Sequence, residues 1–471
     1  MITSDMDSSS GSGADALFDV GVIGGAFGVE RCRGRGAPVQ VQLDEGDSNL
    51  VPAGGKCSNR PLSHPRAEGW HLRRARSAPR TTGKDSISMT WIHTEPSKDH
   101  TDVLDGTSPT SWYTHPDNRQ HIAYIGVDRQ IHECHFSYIA PGGFHWEHSV
   151  PSAGHIKANA NPLGELRPGL TSWYTQLDNR QHIAYVGEDS QIHECHFRYA
   201  PGELKWEHSE PSKGHAAVTL GTSPTSWYTP TDHAQHIAYV GDDFKIHECF
   251  FRYAPGELQW VHSVPSEGHT KVAINTSPTS WYTQSDNRQH IAYVDDDHLI
   301  HECHFAYVPG GLHWEHSEPS AGHAPARFDD SPTSWYTLPD NGQHIAYIGQ
   351  DSQINECFFR YEPGGFHWEH SEPRLGQAHA MAYTSPTSWY TQSDNRQHIA
   401  YVGFNGHSQI HECHFQYEPG GFHWEHSEPS AGHAPVAAGT SPTSWYTPTD
   451  NAQHIAYVGT DHQIHECFFR L

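Results

Sequence analysis

Long apolar runs are missing from this chain of 471 residues. None reaches the ~18 consecutive apolar residues that a membrane-spanning helix needs, so insertion into a membrane is not expected. Basic residues are also scarce. Lys and Arg number 29 against 55 Asp and Glu, a formal net charge of −26. Nucleic acids and anionic membranes both require a basic face, so neither is an expected partner. The N-terminus lacks the basic region of a secretory signal: Ala16 to Val29 is mildly apolar, but Asp19 interrupts it and acidic residues precede it. The expected location is therefore cytoplasmic, or at least outside the classical secretory route.

Histidine and aromatic residues are abundant: 42 His, 15 Trp, 21 Tyr and 18 Phe. Residues 1 to 88 are the exception. They are rich in Gly, Ser, Arg and Pro (GSGADALF, CRGRGAPVQ, HLRRARSAPR) and show no period of 2 or 3.6. Such a segment cannot bury enough apolar surface to offset its chain entropy, and it reads as a disordered low-complexity extension. The alternatives are a basic targeting or interaction arm around Arg73 to Arg80 and, since Met89 lies just before the first repeat element, a gene-model extension.

From Trp91 onward the chain is repetitive. Ser-Trp-Tyr-Thr recurs with its Trp at positions 112, 173, 227, 281, 335, 389 and 445, mostly 54 residues apart. Each copy continues with His-Ile-Ala-Tyr, then Ile-x-Glu-Cys-x-Phe, then a Trp before His-Ser-x-Pro. These runs suit β-strands, and the Asp-Asn, Gly-x-Asp and Pro-Gly segments between them suit turns. Four short strands per repeat make one propeller blade. The last copy stops after IHECFFR and lacks its Trp-bearing run, whereas Thr90-Trp91-Ile92-His93-Thr94 at the start matches that missing run. The sequence thus predicts an all-β fold: a seven-bladed β-propeller of four-stranded antiparallel blades over 89–471, closed by an N-terminal strand that completes the C-terminal blade.

Seven of the nine cysteines hold one repeat position: Cys134, Cys195, Cys249, Cys303, Cys357, Cys413 and Cys467. Equivalent positions in stacked sheets lie ~10 Å apart, too far for disulfides, which need Cα atoms within ~7 Å. They are expected to be buried thiols between blades. The string His-Glu-Cys-His hints at metal. However, Phe250, Phe358 and Phe468 replace its second His in three copies, and adjacent strand residues face opposite ways. No metal or other cofactor is expected.

A pairing recurs in every blade, between the His of HIAY and the Glu of Ile-x-Glu. The pairs are His121/Glu133, His182/Glu194, His236/Glu248, His290/Glu302, His344/Glu356, His398/Glu412 and His454/Glu466. A fourth-run Trp is expected nearby: Trp146, Trp206, Trp260, Trp314, Trp368 and Trp424, with Trp91 serving the last blade. Imidazole, carboxylate and aromatic plane together suit a sugar, whose hydroxyls need paired polar groups and whose C–H face packs on a ring. The same residues also suit a purely structural pair beside a core Trp.

The order Ser-Trp, a strand with Tyr, Ile-x-Glu and Trp resembles the repeat of the fungal fucose-specific lectins of the Aleuria aurantia type. Those are β-propellers that bind fucose between adjacent blades through an Arg, the downstream Glu and a nearby Trp or Tyr. The resemblance covers the repeat region and none of residues 1 to 88. It implies that the family's Arg falls on His182 and its counterparts, the Glu on Glu194, and the Trp on Trp206. His replaces Arg in every blade, and seven blades replace six. The implied function is a multivalent lectin with glycan partners, fucosylated ones being the candidates, in which repetition raises the apparent affinity of weak sites. An imidazolium donating to the sugar would strengthen binding as pH falls through about 6.5. The alternative is a protein-interaction propeller without a sugar ligand. An enzyme is not expected, because no blade carries a distinguished carboxylate pair. Asn355 in the fifth blade and the longer Phe404 to His407 turn in the sixth mark the copies expected to diverge.

Overall fold

The structure is a computed structural model and describes residues 90–470, apart from 116, 138–144, 160–168, 199–204, 252–258, 309–310, 339, 363–364, 374–377 and 419–420. The expectations for residues 1 to 88 lie outside these. The described residues contain no helix. They form seven antiparallel sheets of four strands each, the predicted propeller, with a short fifth strand added in the sixth. Blade I consists of Thr110–Thr114, Arg119–Ile125, Ile131–Ser137 and His145–Ser149. Blades II to VII begin at Leu170, Thr225, Thr279, Thr333, Thr387 and Thr443.

Ring closure follows from small polar residues on the innermost strands. Thr110 Oγ1 and Ser172 Oγ lie 2.8 Å apart across blades I and II, and the same hydroxyl pair recurs at every boundary. The seventh, Ser111 with Thr443 at 2.8 Å, returns from blade VII to blade I. Seven bonds of one kind in a cycle tie each innermost strand to the next. At the rim, Ile92–Thr94 pairs with Ile464–Arg470, placing Ile92 opposite Phe468 and Thr94 opposite Glu466. Ser97 Oγ then accepts from the Ile464 amide at 2.7 Å, as Ser152 does for Ile131 in blade I at 2.8 Å. The N-terminal strand is therefore a full member of blade VII.

Turn chemistry sets the strand spacing. At the first hairpin, Asn118 adopts φ 56°, and Asn179, Asn287, Asn341, Asn395 and Asn451 take the same left-handed conformation, which Asn tolerates better than most residues. His233 takes that place in blade III. At the second hairpin, a Cβ on Gly126 would meet the His132 ring at 2.6 Å, so the glycine lets that imidazole lie against the turn.

Strand alternation splits each blade into two faces, and every core cluster joins one face of a blade to the opposite face of the next. Trp112, Ala123, Ile125 and Ile131 of blade I pack on Ile183, Tyr185 and Cys195 of blade II. Trp445, Ala456 and Ile464 of blade VII pack on Ile122, Tyr124 and Cys134 of blade I. The seven repeat cysteines are buried free thiols in these interfaces, as expected.

The outer strands carry a second repeat feature. His93, His148, His208, His262, His316 and His370 each stack on a second imidazole from the connecting segment of the neighbouring repeat, with ring centroids 3.1–4.1 Å apart. Burial first, and the facing imidazole second, pull His262 from 6.5 down to about 4. The other five are drawn down to about 4, again with burial as the first cause.

Two outcomes follow from this architecture. A chain begun at Pro96 lacks Trp91 and the closing strand, and it should unfold more easily than one begun at Met89 by ~3 kcal/mol or more, the cost of losing a packed Trp. Equal denaturant midpoints for the two chains would show that closure does not depend on that strand. Acid should also destabilise the propeller. A folded-state value of about 4 lies below the ordinary 6.5, so the stabilisation from neutral His262 is complete above pH 6.5 and is lost as pH falls toward 4. The groups facing His262 are His215, His247, Asp243 and Glu248. Thermal melts between pH 7.5 and 4.5 should show a falling midpoint, with a smaller fall in His215→Gln; a flat profile would refute this.

Candidate functional site: the clefts between blades

One chain of side chains crosses all four strands of every blade. In blade I, His121 Nδ1 lies 2.7 Å from Glu133 Oε1, and His121 Nε2 lies 3.2 Å from Thr114 Oγ1. Ser149 donates its hydroxyl to Glu133 Oε2 at 2.6 Å. The His–Glu contact spans 2.6–2.9 Å across the seven blades. In blade VII, Thr94 of the closing strand takes the serine's place on Glu466 at 2.5 Å. The inner-strand Trp covers the imidazole: Trp112 stacks on His121 at 4.8 Å and 7°, and this repeats in every blade.

These pairs are buried, with His121 1% and Glu133 3% exposed. Burial opposes ionisation of Glu133, but the hydrogen bond from His121 and the nearby His135 ring outweigh it and hold the carboxyl well below the usual range. Burial lowers His121 despite its bond to Glu133. The expectation that His182 and its counterparts donate to a ligand as imidazolium is therefore corrected. Both ring nitrogens of His182 are engaged by Glu194 and Thr175. The seven histidines hold the carboxylates in place.

The Trp grouping is corrected too. Trp206 sits opposite Phe197, whereas Glu194 sits opposite Ser209, three residues along on the other face. Trp206 therefore packs into the I–II interface, beside blade I's residues. Each His–Glu pair lies on the blade face that packs against the Trp of the following blade: that of His121 and Glu133 on Trp206, His182 and Glu194 on Trp260, His236 and Glu248 on Trp314, His290 and Glu302 on Trp368. The face of His344 and Glu356 packs on Trp424, that of His398 and Glu412 on Trp91, and that of His454 and Glu466 on Trp146. A direct link confirms the crossing, since Trp260 Nε1 donates to Ser209 Oγ at 3.3 Å.

Between blades IV and V this arrangement encloses a cavity of about 270 Å³. Arg288, His290, Glu302, His304 and Ser317 line one wall, and Gln343, Phe359 and Trp368 the other. The volume is slightly below the range of drug-sized pockets and suits one small polar ring.

The arginine was not singled out from sequence, and its signal is periodic. Arg119, Arg180, Arg288 and Arg396 stand two residues before the paired His in blades I, II, IV and VI. Those same blades carry the second His of His-Glu-Cys-His, namely His135, His196, His304 and His414. Blades III, V and VII have Ala234, Gly342 and Ala452 with Phe250, Phe358 and Phe468 instead, and an Arg two residues after that Phe. In blade VII this is Arg470, directly across the strands from Ala452. Its Nε lies 3.5 Å from Asp450, much as Arg288 Nε lies 3.4 Å from Asp286. The guanidinium thus moves one strand over while keeping its aspartate. The blades differ in residue along this division. Asn355 is on the face opposite Glu356, and His398 keeps its 2.7 Å contact with Glu412 despite the longer hairpin.

No family model matches the chain, and no curated protein matches it. Among solved structures it is similar to a triple-variant AofleA from Arthrobotrys oligospora, at 14% identity over 74% of this chain and 92% of that one, TM-score 0.49. It is similar to an Aleuria aurantia lectin variant in complex with alpha-methyl-L-fucoside, at 14% identity over 72% and 98%, TM-score 0.42. A NanB sialidase variant from Streptococcus pneumoniae is similar at 10% identity over 77% and 68%, TM-score 0.41.

Removing one partner of a buried His–Glu pair leaves the other unpaired, so Glu194→Ala should destabilise the protein by ~3–5 kcal/mol. Urea unfolding measures this. A change below ~1 kcal/mol would show that the pair contributes little to holding the blade together.

Proposed function

We propose that this protein is a multivalent carbohydrate-binding protein, a lectin, whose sites are the clefts between adjacent blades. The observation that carries this reading is the cleft between blades IV and V. There Trp368 and Phe359 face a polar wall of Arg288, His304, Glu302 and Ser317 across a space of about 270 Å³. A pyranose needs such a pairing: an aromatic plane for its C–H face, and donors and acceptors for its hydroxyls.

The motif resemblance to fucose-specific lectins supports the same reading, with one change of residue. The guanidinium that the alignment leaves missing at His290 is supplied in the cleft by Arg288, so Arg288, Glu302 and Trp368 reproduce that family's Arg, Glu and Trp set. Fucosylated glycans are accordingly the first candidates. A hydrolase is a weaker reading. Glu302 has both oxygens engaged, by His290 and by Ser317, and lies buried, whereas a general acid needs a free proton to deliver.

A glycan array is the test. Fucosylated glycans should bind, with avidity ~10²–10⁴ above that of the free monosaccharide. By calorimetry, Trp368→Ala should reduce the number of sugar sites without unfolding the ring. An array empty of signal for a folded protein would overturn this reading and favour a propeller that binds other proteins.

A further inference from the structure

We propose that four of the seven clefts, those of blades I, II, IV and VI, each hold a divalent transition-metal ion on a His–Glu–His set. The proposal stands on donor geometry and is independent of the sugar reading.

In blade VI, His398 Nδ1 lies 2.7 Å from Glu412 Oε1, and His414 Nδ1 lies 3.7 Å from Glu412 Oε2. One donor atom from each of the three residues falls within 4.8 Å of the others. Neighbouring residues on a strand do face opposite ways, which removes Cys413 from the set. Glu412 and His414 are two apart and share a face, and His398 reaches that face from the strand alongside. The sequence-based exclusion of a metal overlooked this.

Three further observations point to a cation. His414 Nδ1 is buried and makes no hydrogen bond, and the same holds for His135 Nδ1 and His196 Nδ1 in blades I and II. The outer nitrogen of each ring is already oriented. His398 Nε2 meets Thr391 Oγ1 at 3.2 Å, and His414 Nε2 meets Glu425 Oε2 at 3.1 Å. A carboxylate behind a ligating imidazole is the arrangement that raises its basicity and fixes its tautomer. Finally, blades III, V and VII replace the third donor with Phe while keeping the His–Glu pair, so the pair itself does not require that His. Arg396 opposes a cation, but its charge is offset by Asp394 at 3.2 Å.

Two imidazoles and a carboxylate suit Zn²⁺, Ni²⁺, Cu²⁺ or Fe²⁺, and not Ca²⁺ or Mg²⁺. Binding through His398 Nδ1 takes that ring as its Nε2–H tautomer, whose hydrogen faces Thr391 Oγ1. Any coordination positions left open would face the cleft, which the equivalent residues of blade IV line directly.

The test is Zn²⁺ stoichiometry on the full chain, stripped with chelator and measured by calorimetry and elemental analysis. About four equivalents per chain are expected. His414→Phe introduces the residue that blades III, V and VII already carry, and it should remove one equivalent. The fourfold variant at 135, 196, 304 and 414 should remove all four, and Glu425→Gln should weaken one site ~10–100-fold. His155→Gln, at a stacked rim pair outside the set, should leave the count unchanged. Co²⁺ loading should give visible d–d absorption that the fourfold variant lacks. No Zn²⁺ uptake, or uptake unchanged in a fourfold variant with native melting, would overturn the proposal.

Discussion

The hydrogen-bonded chain Thr114–His121–Glu133–Ser149, and its six repeats, is the interaction on which the rest depends. It takes one polar side chain from each strand of a blade, so it fixes strand register as well as joining neighbours. Burying a carboxylate is costly unless every lone pair has a donor. Here both oxygens are supplied, and the inner-strand Trp covers the imidazole. A slip of one residue would reverse every face and leave seven carboxylates without partners. The polar chain thereby enforces the alternation that builds the apolar interfaces between blades.

Closure repeats this logic on a larger scale. The inner hydroxyl ring and the rim strand Ile92–Thr94 both complete in blade VII what the other blades obtain from their own sequence. Thr94 gives Glu466 the donor that a serine gives elsewhere, so the closing strand satisfies the buried polar network as well as the sheet edge. Because the blades close on one another, their polar floors open into clefts roofed by the next blade. Two kinds of cleft result. One has an Arg and a second His beside the His–Glu pair. The other has a Phe and, in blade VII, an Arg carried on the adjacent strand. The same scaffold can therefore present two chemistries around one ring.

Much of this was legible in the sequence. Blade number, strand order, the closing strand and the His–Glu pairs all follow from a period near 54 residues and from the match between Trp91 and the fourth-run tryptophans. What was not legible was which partners share a face across a blade boundary. Trp206 is twelve residues from Glu194 in the chain yet belongs to the cleft of Glu133. The resemblance also puts the family's arginine on His182, which is buried, whereas Arg180 stands two residues away on the same strand. Burial separated the two, and no spacing encodes burial at single-residue resolution.

By itself the sequence determined the fold, because a strict repeat with period-2 strands and matching turns allows one low-strain arrangement, and the displaced first strand requires a closed ring. The tertiary structure alone decided what the repeated residues do. It turned the histidine from a ligand contact into a support, reassigned each Trp to the preceding blade, and brought Glu412 and His414 together with His398. The physical reason is that side-chain function here depends on which face of which blade meets its neighbour. That is settled only when all seven sheets pack at once.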